Sequence, residues 1–172
     1  MIDLSSLEIG KMTFKFKICD AVGLCRNVID MVEKIKQTHA DVRFSTPLDS
    51  LELLTDSARL QQVLINLLIN ATKFTAQGTI TLELVKQTED TALFSVSDTG
   101  CGISKENQNK IFNRFEKLDE NAQGTGLGLS ICQLIIEQLG GKIWIDPDYD
   151  KGARFLFTHP ICHAQIKKEE TR

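Results

Sequence analysis

No apolar run in this chain approaches the roughly 18 residues that a bilayer-spanning helix requires, which excludes a transmembrane segment. The amino terminus, Met1-Ile2-Asp3-Leu4, lacks the positive and apolar regions of a secretory signal. No basic block stands out, and a formal net charge of -3 speaks against nucleic acid or direct membrane contact. A CxxC pair is missing too. The five cysteines, Cys19, Cys25, Cys101, Cys132 and Cys162, are odd in number and scattered, a pattern unlike a metal site or disulfide framework. They read as free thiols of a reducing compartment, so the expected location is cytoplasmic. Internal repeats and low-complexity tracts are absent. What remains is an ordinary globular balance, 42% hydrophobic and 25% charged. At 172 residues the chain fits one domain that buries about 70% of its unfolded surface.

Periodicity places the elements. Met12 to Ile18 alternates as a half-buried strand, and Asp20 caps a helix carrying Val22, Cys25, Val28, Ile29, Val32 and Ile35 at helical spacing. Short strands are expected at Val42–Phe44 and Leu51–Leu54, divided by a turn at Pro47 to Ser50. A second helix runs from Ser57 to Phe74. Ile80, Leu82 and Leu84 mark one strand, and Ala92, Phe94 and Val96 the next, with Asp98 ending it on the same face. A helix follows Ser104 and reaches Phe112 and Phe115. Gly126 and Gly128 open a third long helix that stops at Gly140-Gly141. Lys142–Asp146 and Ala153–Thr158 then close a hairpin. Short turns between several strands suggest an α+β fold, a two-layer sandwich with a mixed sheet and helices on one face.

Four constellations carry chemistry. On the second helix, Leu60, Leu64, Leu67, Leu68 and Ala71 share one side, while Gln62, Asn66, Asn70 and Lys73 form a polar stripe roughly opposite. Buried amides need partners, and a phosphate with a hard cation would supply them. An amide oxygen suits Mg²⁺ and an ammonium suits phosphate. An ordinary surface stripe would look the same. The second constellation is Ser97-Asp98-Thr99-Gly100-Cys101-Gly102-Ile103. An inward carboxylate at a strand end needs a donor. The adenine amino group is one, whereas guanine presents a repelling carbonyl there. The same three letters, DTG, mark half of an aspartic protease site, but no second half is present.

The third is Gly124-Thr125-Gly126-Leu127-Gly128-Leu129, which opens a helix whose free N–H groups suit phosphate. Glycine clusters are also common as plain turns. The fourth pairs Phe112 with Phe115 ahead of an unperiodic stretch, Lys117–Gln123, where a lid belongs between the two loops. Two phenylalanines three apart are also common core.

In this order and spacing the four pieces resemble the N, G1, F and G2 boxes of the histidine kinase catalytic domain, over about Leu4 to Pro160. That group extends to DNA gyrase, heat-shock chaperone and mismatch-repair ATPases. The resemblance implies the Bergerat ATP-binding fold, with ATP and Mg²⁺ as cofactors. It implies Asn70 as the Mg²⁺ ligand, with Asn66 and Lys73 acting on phosphate or its water shell. Asp98 would hold the adenine amino group over Gly100 and Gly102, with Ile103 and Phe112 in the same nucleotide site. Gly124, Thr125, Gly126, Leu127, Gly128 and Leu129 would line the phosphates, and Lys117 stands where many relatives place an Arg near the γ-phosphate. Ala153 stands where a Ser often follows the glycine, which removes a hydroxyl from that loop.

The resemblance further implies a division into residues 1–11 as a linker from dimerisation helices, 12–160 as the ATP-binding domain and 161–172 as a polar tail. His39, His159 and His163 do not sit in the context of a phosphoacceptor helix. The acceptor histidine is therefore expected on a separate dimerisation domain, with a response regulator downstream and this piece monomeric. A gyrase-like ATPase is the second reading. It is expected to place a Glu one turn before the magnesium asparagine, where this chain has Asn66. A non-catalytic nucleotide-binding module, or a kinase acting on serine, is the third.

Overall fold

The structure, a computed structural model, describes residues 13–112 and 128–161. In chain order the described elements are β1 (Lys17–Asp20), α1 (Ala21–Ile35), β2 (Asp41–Ser45), β3 (Glu52–Thr55), α2 (Ser57–Phe74), β4 (Thr79–Thr88), β5 (Thr91–Asp98), α3 (Lys105–Gln108), α4 (Gly128–Gln138), β6 (Ile143–Ile145) and β7 (Arg154–Pro160).

Two aspartates start the long helices, and each also ties in a distant segment. Asp20 accepts from the Val22 N–H at 3.1 Å and from the Leu51 N–H at 3.0 Å. Asp56 accepts from the Arg59 N–H at 3.1 Å and, on its other oxygen, from the Lys15 N–H at 2.9 Å. The second bond explains a correction. Alternation predicts a strand over Met12–Ile18, but β1 begins only at Lys17. At Lys15 the main chain is held by the Asp56 side chain instead of a ladder carbonyl. Met12 lies outside the described residues. The helix after Ser104 is also shorter than expected. Ser104 caps it through the Asn107 N–H at 3.2 Å, but it ends at Gln108 and Phe112 lies in a turn beyond it. Phe115 and Gly126 lie outside the described residues.

Five strands form a mixed sheet in the order β2-β4-β5-β7-β6, with β2 parallel to β4 and the other pairs antiparallel. β1 and β3 pair separately as a two-stranded sheet, which periodicity does not predict. Register places Leu82, Val96, Phe155 and Ile145 in one row across the sheet and Leu84, Phe94, Phe157 and Ile143 in the next. Phe94 and Phe157 stack with centroids 4.6 Å apart. Onto this face α1 lays Val22, Cys25, Val28 and Val32, α2 lays Leu60, Val63, Leu64, Leu67 and Leu68, and α4 lays Ile131, Cys132, Ile135 and Ile136, all buried. The two-layer sandwich with helices on one face is the architecture. α4 stops as its glycines predict: Gly140 sits at φ 95° and the Gly141 N–H reaches the Ile136 carbonyl at 2.9 Å.

His159 sits in the inward row beyond Phe157 and is 1% exposed. Its Nε2 lies 2.9 Å from Thr55 Oγ1 and its Nδ1 2.8 Å from the Pro160 carbonyl. It thus joins the last strand to the small sheet. Burial holds its pKa below the ordinary value of 6.5. The unfolded chain, with an ordinary histidine, therefore binds the extra proton first. Stability should be complete above about pH 6.5 and decline as the pH falls below it toward the lower folded-state value. Urea unfolding across this range should show the slope, and a His159→Gln variant should flatten it.

Candidate functional site

The site is built around Asp98, the last residue of β5, on the same inward face as Val96 and paired with Ile80 across β4. Its side chain is nearly closed off, at 4% exposure. A carboxylate there needs charge-assisted donors, and two main-chain amides converge on Oδ1: Gly100 at 2.9 Å and Ala153 at 3.2 Å. The Asp98 main chain is held as firmly. Its N–H donates to the Ala153 carbonyl at 2.9 Å, and its carbonyl accepts from the Tyr149 hydroxyl at 3.1 Å. A side chain at Gly152 would overlap the Asp98 carbonyl and lie 2.6 Å from Oδ1. Arg154 supports the turn, with its guanidinium 4.4 Å from the Tyr149 ring centre and 3.7 Å from Asp146.

The loop beyond Asp98 is seated on the carboxyl end of α2. The Cys101 N–H donates to the Phe74 carbonyl at 3.1 Å, and a methyl group at Gly100 would overlap that same oxygen. Protein packing alone therefore requires glycine at this position. Gly102 takes φ 73°, the left-handed region, with the Gly152 carbonyl close to where a side chain would stand. Ile103 is half-buried against the core, and Phe112 meets Phe155 edge-on at 6.2 Å.

The polar seam of α2 runs toward the carboxyl end of the helix. Asn66 and Asn70 are half-buried and Lys73 is exposed. On α4 the buried Cys132 thiol lies 3.9 Å from the Val63 carbonyl of α2. Burial pushes that thiol up to about 12. Gly128 begins α4 with open space where a side chain would stand, and Leu129 is half-buried beside it. Lys117, Gly124, Thr125, Gly126 and Leu127 lie outside the described residues. Among the described residues no three His, Cys, Asp or Glu side chains gather as metal ligands, and no helix is long and apolar enough to cross a membrane.

Sequence reasoning missed the Ala153 amide, the Tyr149 hydroxyl and Thr75 at the end of α2. Only Ala153 had a signal. It was read for a missing hydroxyl, whereas the group that touches Asp98 is its main-chain N–H.

A family model described as histidine kinase-, DNA gyrase B- and HSP90-like ATPase matches residues 55–162. The adaptive-response sensory kinase SasA of Synechococcus sp. (strain CC9311) is 39% identical over 136 residues, covering 77% of this chain and 34% of that protein. The chain thus spans about a third of that relative's length. Among solved structures, the catalytic domain of histidine kinase ThkA superposes with a TM-score of 0.75 at 35% identity, covering 86% of this chain and 98% of that one. Full-length ShkA in complex with AMPPNP superposes with a TM-score of 0.79 at 28% identity, covering 91% of this chain and 33% of that one.

Replacing Gly100 by alanine should force the loop off the end of α2, at a cost on the order of 1–3 kcal/mol. Thermal unfolding of Gly100→Ala should show the loss. An unchanged midpoint would mean that the loop is not seated on the Phe74 carbonyl.

Proposed function

This chain belongs to the histidine kinase-, DNA gyrase B- and HSP90-like ATPases, and from that premise we propose that it binds Mg·ATP and transfers the γ-phosphate to a histidine on a separate dimerisation domain. Its sequence and fold are those of the ATP-binding catalytic domain of sensor histidine kinases. Residues 12–160 form the nucleotide-binding unit. The partners are the dimerisation domain and, after it, a response regulator. The fragment is cytoplasmic and monomeric.

The observation that carries the reading is the buried Asp98 carboxylate with two amides on one of its oxygens. Oδ1 is committed to holding the loop. Oδ2 is the acceptor offered to the adenine amino group, and a guanine carbonyl in that place would be repelled. Gly102 and Ile103 lie under the base, with Phe112 at its rim. Facing the phosphates are the seam of α2 and the amino end of α4. The Asn70 amide oxygen is a hard donor suited to Mg²⁺. With no carboxylate cluster among the described residues, the ion would be held jointly with the nucleotide's own phosphates. When bound it neutralises charge on the phosphate chain. Asn66 orders the ion's water shell, and Lys73 and Lys117 attract phosphate oxygens as point charges. Main-chain N–H groups of Gly128 and Leu129 add the positive end of a helix, and Gly124, Thr125, Gly126 and Leu127 are assigned to the phosphates with them. Transfer then rests on alignment and charge neutralisation.

Hydrolysis of the gyrase kind needs a base that activates water. Asn66 takes the position one turn before Asn70, and an amide is no base at neutral pH.

Asp98→Asn tests the assignment cleanly, because the amide oxygen can still accept from Gly100 and Ala153 while the charge is removed. ATP affinity should fall roughly ten- to a hundredfold by calorimetric titration. The parent should prefer ATP to GTP and bind more tightly with Mg²⁺. A variant that binds ATP as tightly as the parent would remove Asp98 from the adenine site.

A further inference from the structure

Thr75 caps the carboxyl end of α2 and is fully buried, at 0% exposure. Among the described residues, its Oγ1 is the one buried side-chain nitrogen or oxygen without a hydrogen-bond partner. Its main-chain carbonyl is engaged by the Thr38 hydroxyl, so the residue is anchored while its own hydroxyl is idle. That hydroxyl points at the adenine loop: a methyl group on Gly100 would stand 2.6 Å from Oγ1. Gly100 is the residue whose N–H holds Asp98 Oδ1 at 2.9 Å.

A buried hydroxyl with no partner destabilises the state in which it is found. Valine has the same shape and would fill the same space without that cost. The hydroxyl gains a use once a partner meets it, and its place against Gly100 points to the adenine loop. Resting on the nucleotide reading above, we propose that Thr75 is a positioning residue for ATP, its hydroxyl forming a hydrogen bond with the Asp98–Gly102 loop only when nucleotide is bound. The residue sits at the joint between the helix that carries Asn66, Asn70 and Lys73 and the loop that carries Asp98. A bond formed there on binding ties the phosphate side of the site to the adenine side. Thr75 does not touch the nucleotide. It acts through Gly100 and Asp98.

The two effects of removing the hydroxyl have opposite signs, which separates this role from packing. Thr75→Val should leave the thermal midpoint of the nucleotide-free protein unchanged or raised, and should weaken Mg·ATP binding about fivefold by calorimetry. Thr75→Ser should bind as the parent does. Parental affinity in Thr75→Val would overturn the proposal, as would equal losses in the valine and serine variants. If the valine variant fails to fold, Thr75→Ser and Thr75→Ala give the same comparison, and equal affinities for those two would overturn it. A parent that binds no ATP would overturn both this inference and the reading it rests on. A parent that binds, with valine unaffected, overturns this inference alone.

Discussion

A negative charge buried at the end of a central strand is the constraint from which the rest of the site follows. Asp98 lies in the inward row of β5, where water cannot solvate it, and it is held by amides from two different segments. One comes from the loop that follows the strand, the other from the start of β7. The carboxylate thereby joins a local turn to a strand some fifty residues away. That strand is in turn hydrogen-bonded along the length of β5. The Asp98 geometry is therefore a property of the sheet. Glycine is needed on both sides, at Gly100 and Gly152, because each backbone approaches closer than a side chain permits.

The same closeness makes α2 serve two purposes. One side of it is core, with Leu60, Leu64, Leu67 and Leu68 at or near zero exposure. Its carboxyl end is the seat for the Asp98 loop through the Phe74 carbonyl. Helix ends leave carbonyls that need partners, and here the loop supplies a donor. The half-buried seam of Asn66 and Asn70 lies on the same helix. Moving the helix would move both sides of the site together.

Much of this was legible because it is periodic or local. Alternation at Ile80, Leu82 and Leu84 and at Ala92, Phe94 and Val96 marks the inward rows, and it puts Asp98 on the buried face. Asp20 is a cap by residue type and position, and a helix starts after Ser104 as expected. Failures came where tertiary contacts decided. The alternation before Lys17 is real, but Asp56 captures the Lys15 amide and the ladder stops there. Pairing of β1 with β3 links segments far apart in the chain and leaves no periodic trace. The Ala153 amide was invisible for a different reason: every residue but proline carries an N–H, so residue identity says nothing about where a main-chain donor points. Thr75 escaped because its interest lies in what it fails to bond, which only coordinates reveal.

Asn66 shows how the two levels meet. From the sequence it is an amide where a water-activating ATPase is expected to hold a carboxylate. In the structure it is half-buried on α2, the helix that packs against α4. A base needs a group that can take up a proton. An amide oxygen can only accept hydrogen bonds or ligate, which fits the proposed transfer to a histidine better than activation of a water for attack.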